Sequence, residues 1–177
     1  MIDAPTDADL KRLRDKEAIA AVLARYCRGV DRCDADLIDS AFHADAVDDH
    51  SYVRLAGSEV GAYLVERMLT MFKASLHSLL QSLIEVDGDS AHGETYYVAW
   101  LIREDAGKEV VDQAAGRYVD RFERRGGEWR IAYRIVLPEI AIRHQGGSTD
   151  LLKYVADRPQ RHRDDISYRR PLVPRPL

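Results

Sequence analysis

A chain of 177 residues, 46% hydrophobic and 32% charged, has the composition of a soluble globular protein with enough apolar material for one domain. A formal net charge of −4 argues against nucleic acid as the main partner, because phosphate binding needs a basic face. No run approaches the ~18 apolar residues of a membrane span, and the start MIDAPTDADLKRLRDKEA is too polar for a signal peptide. Neither a membrane nor export is expected, and a cytoplasmic location is the default.

The first half reads as helical. Thr6 or Asp7 caps a helix that runs to about Val30. Ile19, Val22, Leu23, Tyr26 and Val30 recur at helical spacing and define one buried stripe. Asp31 then stands where the stripe would continue, and a carboxylate beside an apolar face is costly unless something pairs with it. Cys27 and Cys33 are six apart on or near this helix, so their side chains diverge and a disulfide between them is not expected. A second short helix fits Ala35 to Phe42, with Asp34 as its cap. His43 to Tyr52 reads as a loop leading into a short strand. Ser58 caps a third helix ending near Lys73, with Val60, Tyr63, Leu64, Met68, Leu69 and Phe72 as its apolar positions.

The second half changes period. Leu76 to Asp87 is a strand stopped by the turn sequence DGDS, and His92 to Arg103 is the next. Val110 to Arg124 and Trp129 to Arg143 follow, joined by a Gly126-Gly127 hairpin turn. Helices first and long hairpin strands afterwards give an α+β class, with the helices packed on one face of a curved antiparallel sheet. The domain occupies residues 1–144. Residues 145–177 form an extended tail, with arginines at 158, 161, 163, 169, 170 and 175, that lies over the domain or a neighbouring subunit.

His77, at the start of the first long strand, is the candidate partner for Asp31. The alternatives stay open at this level. Asp31 could cap the next helix or pair with Arg28 or Arg32, and His77 could be a satisfied core or edge histidine. His43, Asp45, Asp49 and His50 are ligand-type residues, but their spacing matches no metal motif. There is no GxGxxG, no phosphate loop and no serine-nucleophile elbow.

Taken together, RYCRGVDRCD (25–34), AFHADAVDDH (41–50), LHSLLQSLIEVDGDSAHGE (76–94), GRYVDRFERRGGEWRIAYR (116–134) and the tail piece DDISYRRPL resemble the SnoaL-like branch of the nuclear transport factor 2-like superfamily. The resemblance is nearest to the group of scytalone dehydratase, lindane dehydrochlorinase and bile acid 7α-dehydratase. It implies a cone-shaped α+β barrel, a curved sheet wrapped around a helix and enclosing a deep apolar cavity. It also implies catalytic roles for Asp31 and His77, with Tyr26, Arg134 and Tyr52 at positions that hold cavity side chains in active relatives. The second strand histidine of scytalone dehydratase has no clear counterpart here.

A carboxylate bonded to one ring nitrogen fixes the tautomer of an imidazole and stabilises the imidazolium as it forms. His77 would then remove a proton from carbon, Asp31 would orient it, and Tyr26, Tyr52 or Arg134 would hydrogen-bond developing charge. The expectation is a lyase or isomerase, dehydratase-like, acting on a hydrophobic ring compound such as a polyketide, steroid or aromatic-degradation intermediate, with no metal and no organic cofactor. The alternative is a non-catalytic small-molecule-binding or assembly protein on the same fold, including a dioxygenase small-subunit role. A homo-oligomer is expected through the outer sheet face, a trimer in preference to a dimer.

Overall fold

The computed structural model describes residues 4–145 and 159–171. Three helices, α1 (Asp7–Arg32), α2 (Ala35–Asp39) and α3 (Val60–Met71), pack against six strands: β1 (Phe42–Asp49), β2 (Arg54–Ala56), β3 (Ala74–Asp87), β4 (Ser90–Asp105), β5 (Lys108–Arg125) and β6 (Glu128–Gln145). The strands form one open sheet in the order β2-β1-β6-β5-β4-β3. This is the expected α+β class, with a curved sheet folded over the N-terminal helices.

α1 begins at a capping box, in which the Thr6 hydroxyl takes the Asp9 backbone N–H and the Asp9 carboxylate takes the Thr6 N–H. Its stripe is buried as the spacing requires, with Ile19, Val22, Leu23, Tyr26 and Val30 all in the core. A buried Asp15 ties the helix to the far hairpin. It accepts hydrogen bonds from Trp129 Nε1 and Arg124 Nη1, both at 2.9 Å. Helix α1 ends where Cys33 turns into the left-handed region (φ 51°), and Asp34 restarts the chain by accepting the Leu37 N–H at the head of α2.

Several local expectations change. The segment expected as a loop from His43 is strand β1, and it runs parallel to β6, pairing Asp48 with Arg134 and Asp49 with Ile135. Polar residues hid it: the strand alternates poorly and buries Asp48 and Asp49 beside Phe42 and Ala46. The sheet is therefore antiparallel except at this one pair of neighbours. α2 stops at Asp39, because Ala41 and Phe42 are already entering the sheet. α3 starts without a side-chain cap bond and not from Ser58. Within it, Val60, Leu64 and Met68 are buried at i, i+4, i+8, whereas Leu69 lies about 100° round the helix and is exposed.

The long strands set the curvature. β5 and β6 shift register between Ala115 and Gly116, where a Cβ on Gly116 would collide with the Leu137 carbonyl and the Pro138 backbone. One row across the concave face is His77, Ala99 and Ala114, and another is Tyr97, Gly116 and Pro138. Ala99 and Ala114 line an internal void between the sheet, α1 and α3. The opposite face carries Leu76, Trp100 and Ile142 in one row and Val98 and Ile140 in another, with Leu76 and Ile140 more than half exposed.

Candidate functional site

Asp31 sits in the last turn of α1, at the negative end of the helix dipole, and is 6% exposed. That position is unfavourable for a carboxylate, and β3 offsets it with two hydrogen bonds. The His77 backbone N–H donates to Asp31 Oδ2 at 2.8 Å, and His77 Nδ1 meets Asp31 Oδ1 at 2.7 Å. Burial pushes the Asp31 carboxyl upward, but the ring and backbone bonds from His77 outweigh it and hold the group below the ordinary carboxylate value. The chain thus pairs residues 31 and 77. Asp34, not Asp31, caps the next helix, while Arg32 pairs with Asp165.

The pair separates two spaces. On one side an open groove of about 590 Å³ runs between α1 and β3, bordered by Cys27, Arg28, Asp31, Leu79 and the tail residues Asp165 and Ile166. On the other side is an internal cavity of about 170 Å³ under the concave face. Asp31 lines the groove and not the cavity, whereas His77 lines both. His77 thus borders both spaces. His77 Nε2 has no hydrogen-bond partner among the described residues.

The cavity is walled by aromatic and aliphatic side chains. Tyr26 is 3% exposed and packs edge-on against Phe42 and Tyr118, with centroids 5.8 and 5.7 Å apart. Tyr97 stacks on Tyr118 at 4.5 Å. Burial raises the Tyr26 and Tyr118 hydroxyls well above the ordinary phenol value, so both remain protonated donors. Tyr52 lies at the mouth, 62% exposed, with the Arg67 guanidinium 5.0 Å above its ring and His50 beside it at 5.9 Å.

Arg134 does not line the cavity. It is fully buried, donates from Nε and Nη2 to Asp120 at 2.7 Å each, and lies 4.4 Å from the Tyr26 ring and 4.2 Å from Tyr118. Burial works against its charge, but the Asp120 carboxylate more than compensates and its pKa is raised. Of the five expected residues, Tyr26, Tyr52 and His77 line the cavity, Asp31 backs His77, and Arg134 stands behind two tyrosines. The sequence reading missed Tyr97, Tyr118, Arg67 and His50. Tyr97 shares strand parity with Ala99 and Leu101, but without the hairpin register nothing tied that face to His77. Of the four ligand-type residues 43–50, His43 is committed to the Glu123 carbonyl and Asp45 to Arg125. Cys27 is buried, and burial pushes its thiol up to about 12, which removes it as a nucleophile.

The tail covers the outer end of the pair. Arg32 bonds the Gln160 carbonyl and Asp165, Arg163 and the Tyr168 hydroxyl bond Asp34, and the Arg28 guanidinium lies 4.2 Å over the Tyr168 ring. Arginines 158 and 175 of the expected basic tail lie outside the described residues. Burial would raise the Asp165 carboxyl, but the Gln160 and Ser167 N–H groups and Arg32 bring it from 3.8 down to about 2. A depressed folded value means that this contribution to stability is complete above pH ~4 and is lost as pH falls toward 2. Tail docking is expected to weaken across that window. Limited proteolysis with an acid-active protease should cut near residues 159–171 faster at its low end, and Asp165→Asn should be cut there faster than wild type by trypsin at neutral pH.

A SnoaL-like domain model matches residues 11–135. The chain belongs to the SnoaL-like domain family. Rv3472, a protein of unknown function from Mycobacterium tuberculosis, is similar at 26% identity, with a TM-score of 0.66 over 77% of this chain and 78% of that one. LinA type 3, a hexachlorocyclohexane dehydrochlorinase from Novosphingobium barchaimii, superposes with a TM-score of 0.71 at 20% identity, over 78% of this chain and 96% of its own. A scytalone dehydratase-like protein from Novosphingobium aromaticivorans gives 0.67 at 15% identity, over 78% and 95%. These last two likenesses establish a shared fold. No curated protein matches the chain significantly. No helix among the described residues is long and apolar enough to cross a membrane.

Proposed function

We propose that this SnoaL-like protein is a lyase or isomerase that abstracts a proton from carbon with His77, oriented by Asp31, in an apolar cavity. One observation carries the reading. A single carboxylate takes both the backbone N–H and Nδ1 of His77, a residue that lines the cavity, which commits the proton to Nδ1 and leaves Nε2 as the basic nitrogen. A histidine kept only for packing has no need of a buried acid holding its ring and its backbone together.

Tyr26 is the donor placed to meet an oxygen on the substrate, and Tyr52 lies where a ligand would enter. Arg134 acts through Tyr26 and Tyr118: its charge against their ring faces fixes them and polarises the wall without touching the ligand. The cavity is smaller than the ~300–1,000 Å³ of drug-sized sites, which suits a compact, hydrophobic ring compound carrying an acidifying carbonyl. The dehydratase-like and dehydrochlorinase neighbours perform eliminations by name, and they support the same reaction class here.

The direct test needs no natural substrate. Exchange of the α-protons of cyclohexanone in D2O, followed by NMR, measures carbon deprotonation alone. Wild type is expected to accelerate it, and His77→Gln to lower the enzymic rate by about 10²–10⁴-fold. Equal rates in the two proteins would leave the scaffold as a binding module. The outer row of Leu76, Trp100 and Ile142 supports a homo-oligomer, with the trimer preferred. Light scattering should give a trimeric mass for wild type and a monomer for Trp100→Glu; a monomeric wild type would remove the assembly.

A further inference from the structure

A second depression, larger than the cavity, lies where the start of β3 and the far part of β4 meet the tail. It measures about 470 Å³. Leu76, Trp100 and Ile102 give it an apolar wall, since their register puts them on the outer face of the sheet. Trp100 is 38% exposed. Charged groups border the same space, and most of them are engaged with one another. Asp31 is held by His77, Glu109 and Lys73 meet at 3.5 Å, and Arg32 is bonded to Asp165 and the Gln160 carbonyl.

Arg161, from the tail, is different. Its Nη1 donates to the Phe72 carbonyl just past the end of α3, which anchors the guanidinium. Its Nε and Nη2 are buried and have no partner among the described residues. Buried donors without an acceptor are costly. These two nitrogens form one edge of the guanidinium, and the chain uses that edge repeatedly. Through Nε and Nη2, Arg134 grips Asp120, Arg163 grips Asp34 and Arg143 grips Asp112. In each case the acceptor is a carboxylate, whose two oxygens match the spacing of the two N–H groups. Among the described residues, Arg161 is the one arginine with both nitrogens of this edge buried and unpartnered.

We infer that this depression is a second ligand site and that it takes a monocarboxylate with a flat apolar body. The carboxylate bonds the Nε and Nη2 edge of Arg161, and the ring lies against Trp100, Leu76 and Ile102. An aromatic ring gains offset stacking on an indole in addition to burial. The volume falls within the ~300–1,000 Å³ of small-molecule sites, which the inner cavity does not reach. A dianion fits less well, because Asp31 and Glu109 border the same space and only Arg161 brings an unspent edge. This inference stands apart from the His77 reading, and its failure leaves that reading untouched.

2-Naphthoate and 2-naphthylmethanol share a ring system and differ in charge, and isothermal titration calorimetry of each on the full chain isolates the carboxylate. Wild type is expected to bind the acid about 10–100-fold more tightly than the alcohol, the worth of hydrogen bonds to a charged group. Arg161→Gln should bring the acid down to the level of the alcohol while alcohol binding stays within about twofold, which shows that the depression has survived the lost bond to Phe72. Arg161→Lys should recover only part of the preference, because an ammonium keeps the charge without the paired donors. Ile102→Glu should weaken both ligands and place them at this wall. Equal affinities in wild type, or a preference for the acid that persists in Arg161→Gln, would overturn the site. Leu76 and Trp100 also stand in the outer row assigned to assembly, so light scattering in saturating 2-naphthoate is the second measurement. The mass should equal that of the free protein. A fall in mass would mean that the acid displaces a second copy from that row, and would overturn a separate site.

Discussion

Asp31→Asn is expected to yield a folded protein whose proton-abstraction rate falls by about 10²–10⁴-fold. The reason lies in the two bonds the carboxylate makes. An asparagine can still accept the His77 backbone N–H through its one carbonyl oxygen. Its other atom is then an amide nitrogen, a donor, placed where Oδ1 meets His77 Nδ1 at 2.7 Å. Nδ1 must become the acceptor, so the ring proton moves to Nε2, the nitrogen that has to be free as the base. The base is lost through its tautomer while the ring stays in place. The loss should therefore appear in kcat, with KM nearly unchanged. Removing one charged hydrogen-bond acceptor costs about 1–3 kcal/mol, so the midpoint of thermal unfolding should fall by roughly 2–12 °C. An Asp31→Asn protein with near-native turnover would show that His77 needs no orienting acid.

The fold was legible wherever burial obeyed a period. The α1 stripe and the hairpins from β3 to β6 could be placed because one face of each is apolar and their turns carry DGDS and GG. β1 was not legible, because it breaks that period. It buries Asp48 and Asp49, so it carries no apolar alternation, and its parallel neighbour β6 lies more than 80 residues away. Asp31 drew attention because it interrupts a stripe, and resemblance supplied His77. His50 could not be found that way: its partner Asp48 is two residues off in a segment that looks solvated, and only the parallel pairing with β6 drives that segment inside. Arg134 shows the opposite limit. Sequence marks it as a site residue, but its depth behind Tyr26 depends on the register of two strands.

That depth makes Arg134 a sharp test for stability. Arg134→Met would leave the Asp120 carboxylate fully buried without its bidentate partner, and breaking a buried pair in this way costs about 3–5 kcal/mol. For a chain of this size the midpoint of thermal unfolding should fall by roughly 6–20 °C. The loss comes from a stranded charge, not from lost volume, so the double variant Arg134→Met/Asp120→Leu should recover most of it. Arg134→Lys should fall between, because an ammonium keeps the charge but cannot make the two parallel bonds or lie flat on Tyr118. The same double variant separates the two roles open to this arginine. If it acts only by bracing the tyrosine wall, the refolded double variant should retain α-proton exchange of cyclohexanone within about tenfold of wild type, with the change in KM and kcat shared. A stable double variant with native KM and exchange lowered by the full amount seen for Asp31→Asn would mean instead that the guanidinium reaches developing charge in the transition state, and that Tyr26 and Tyr118 move aside when a ligand enters.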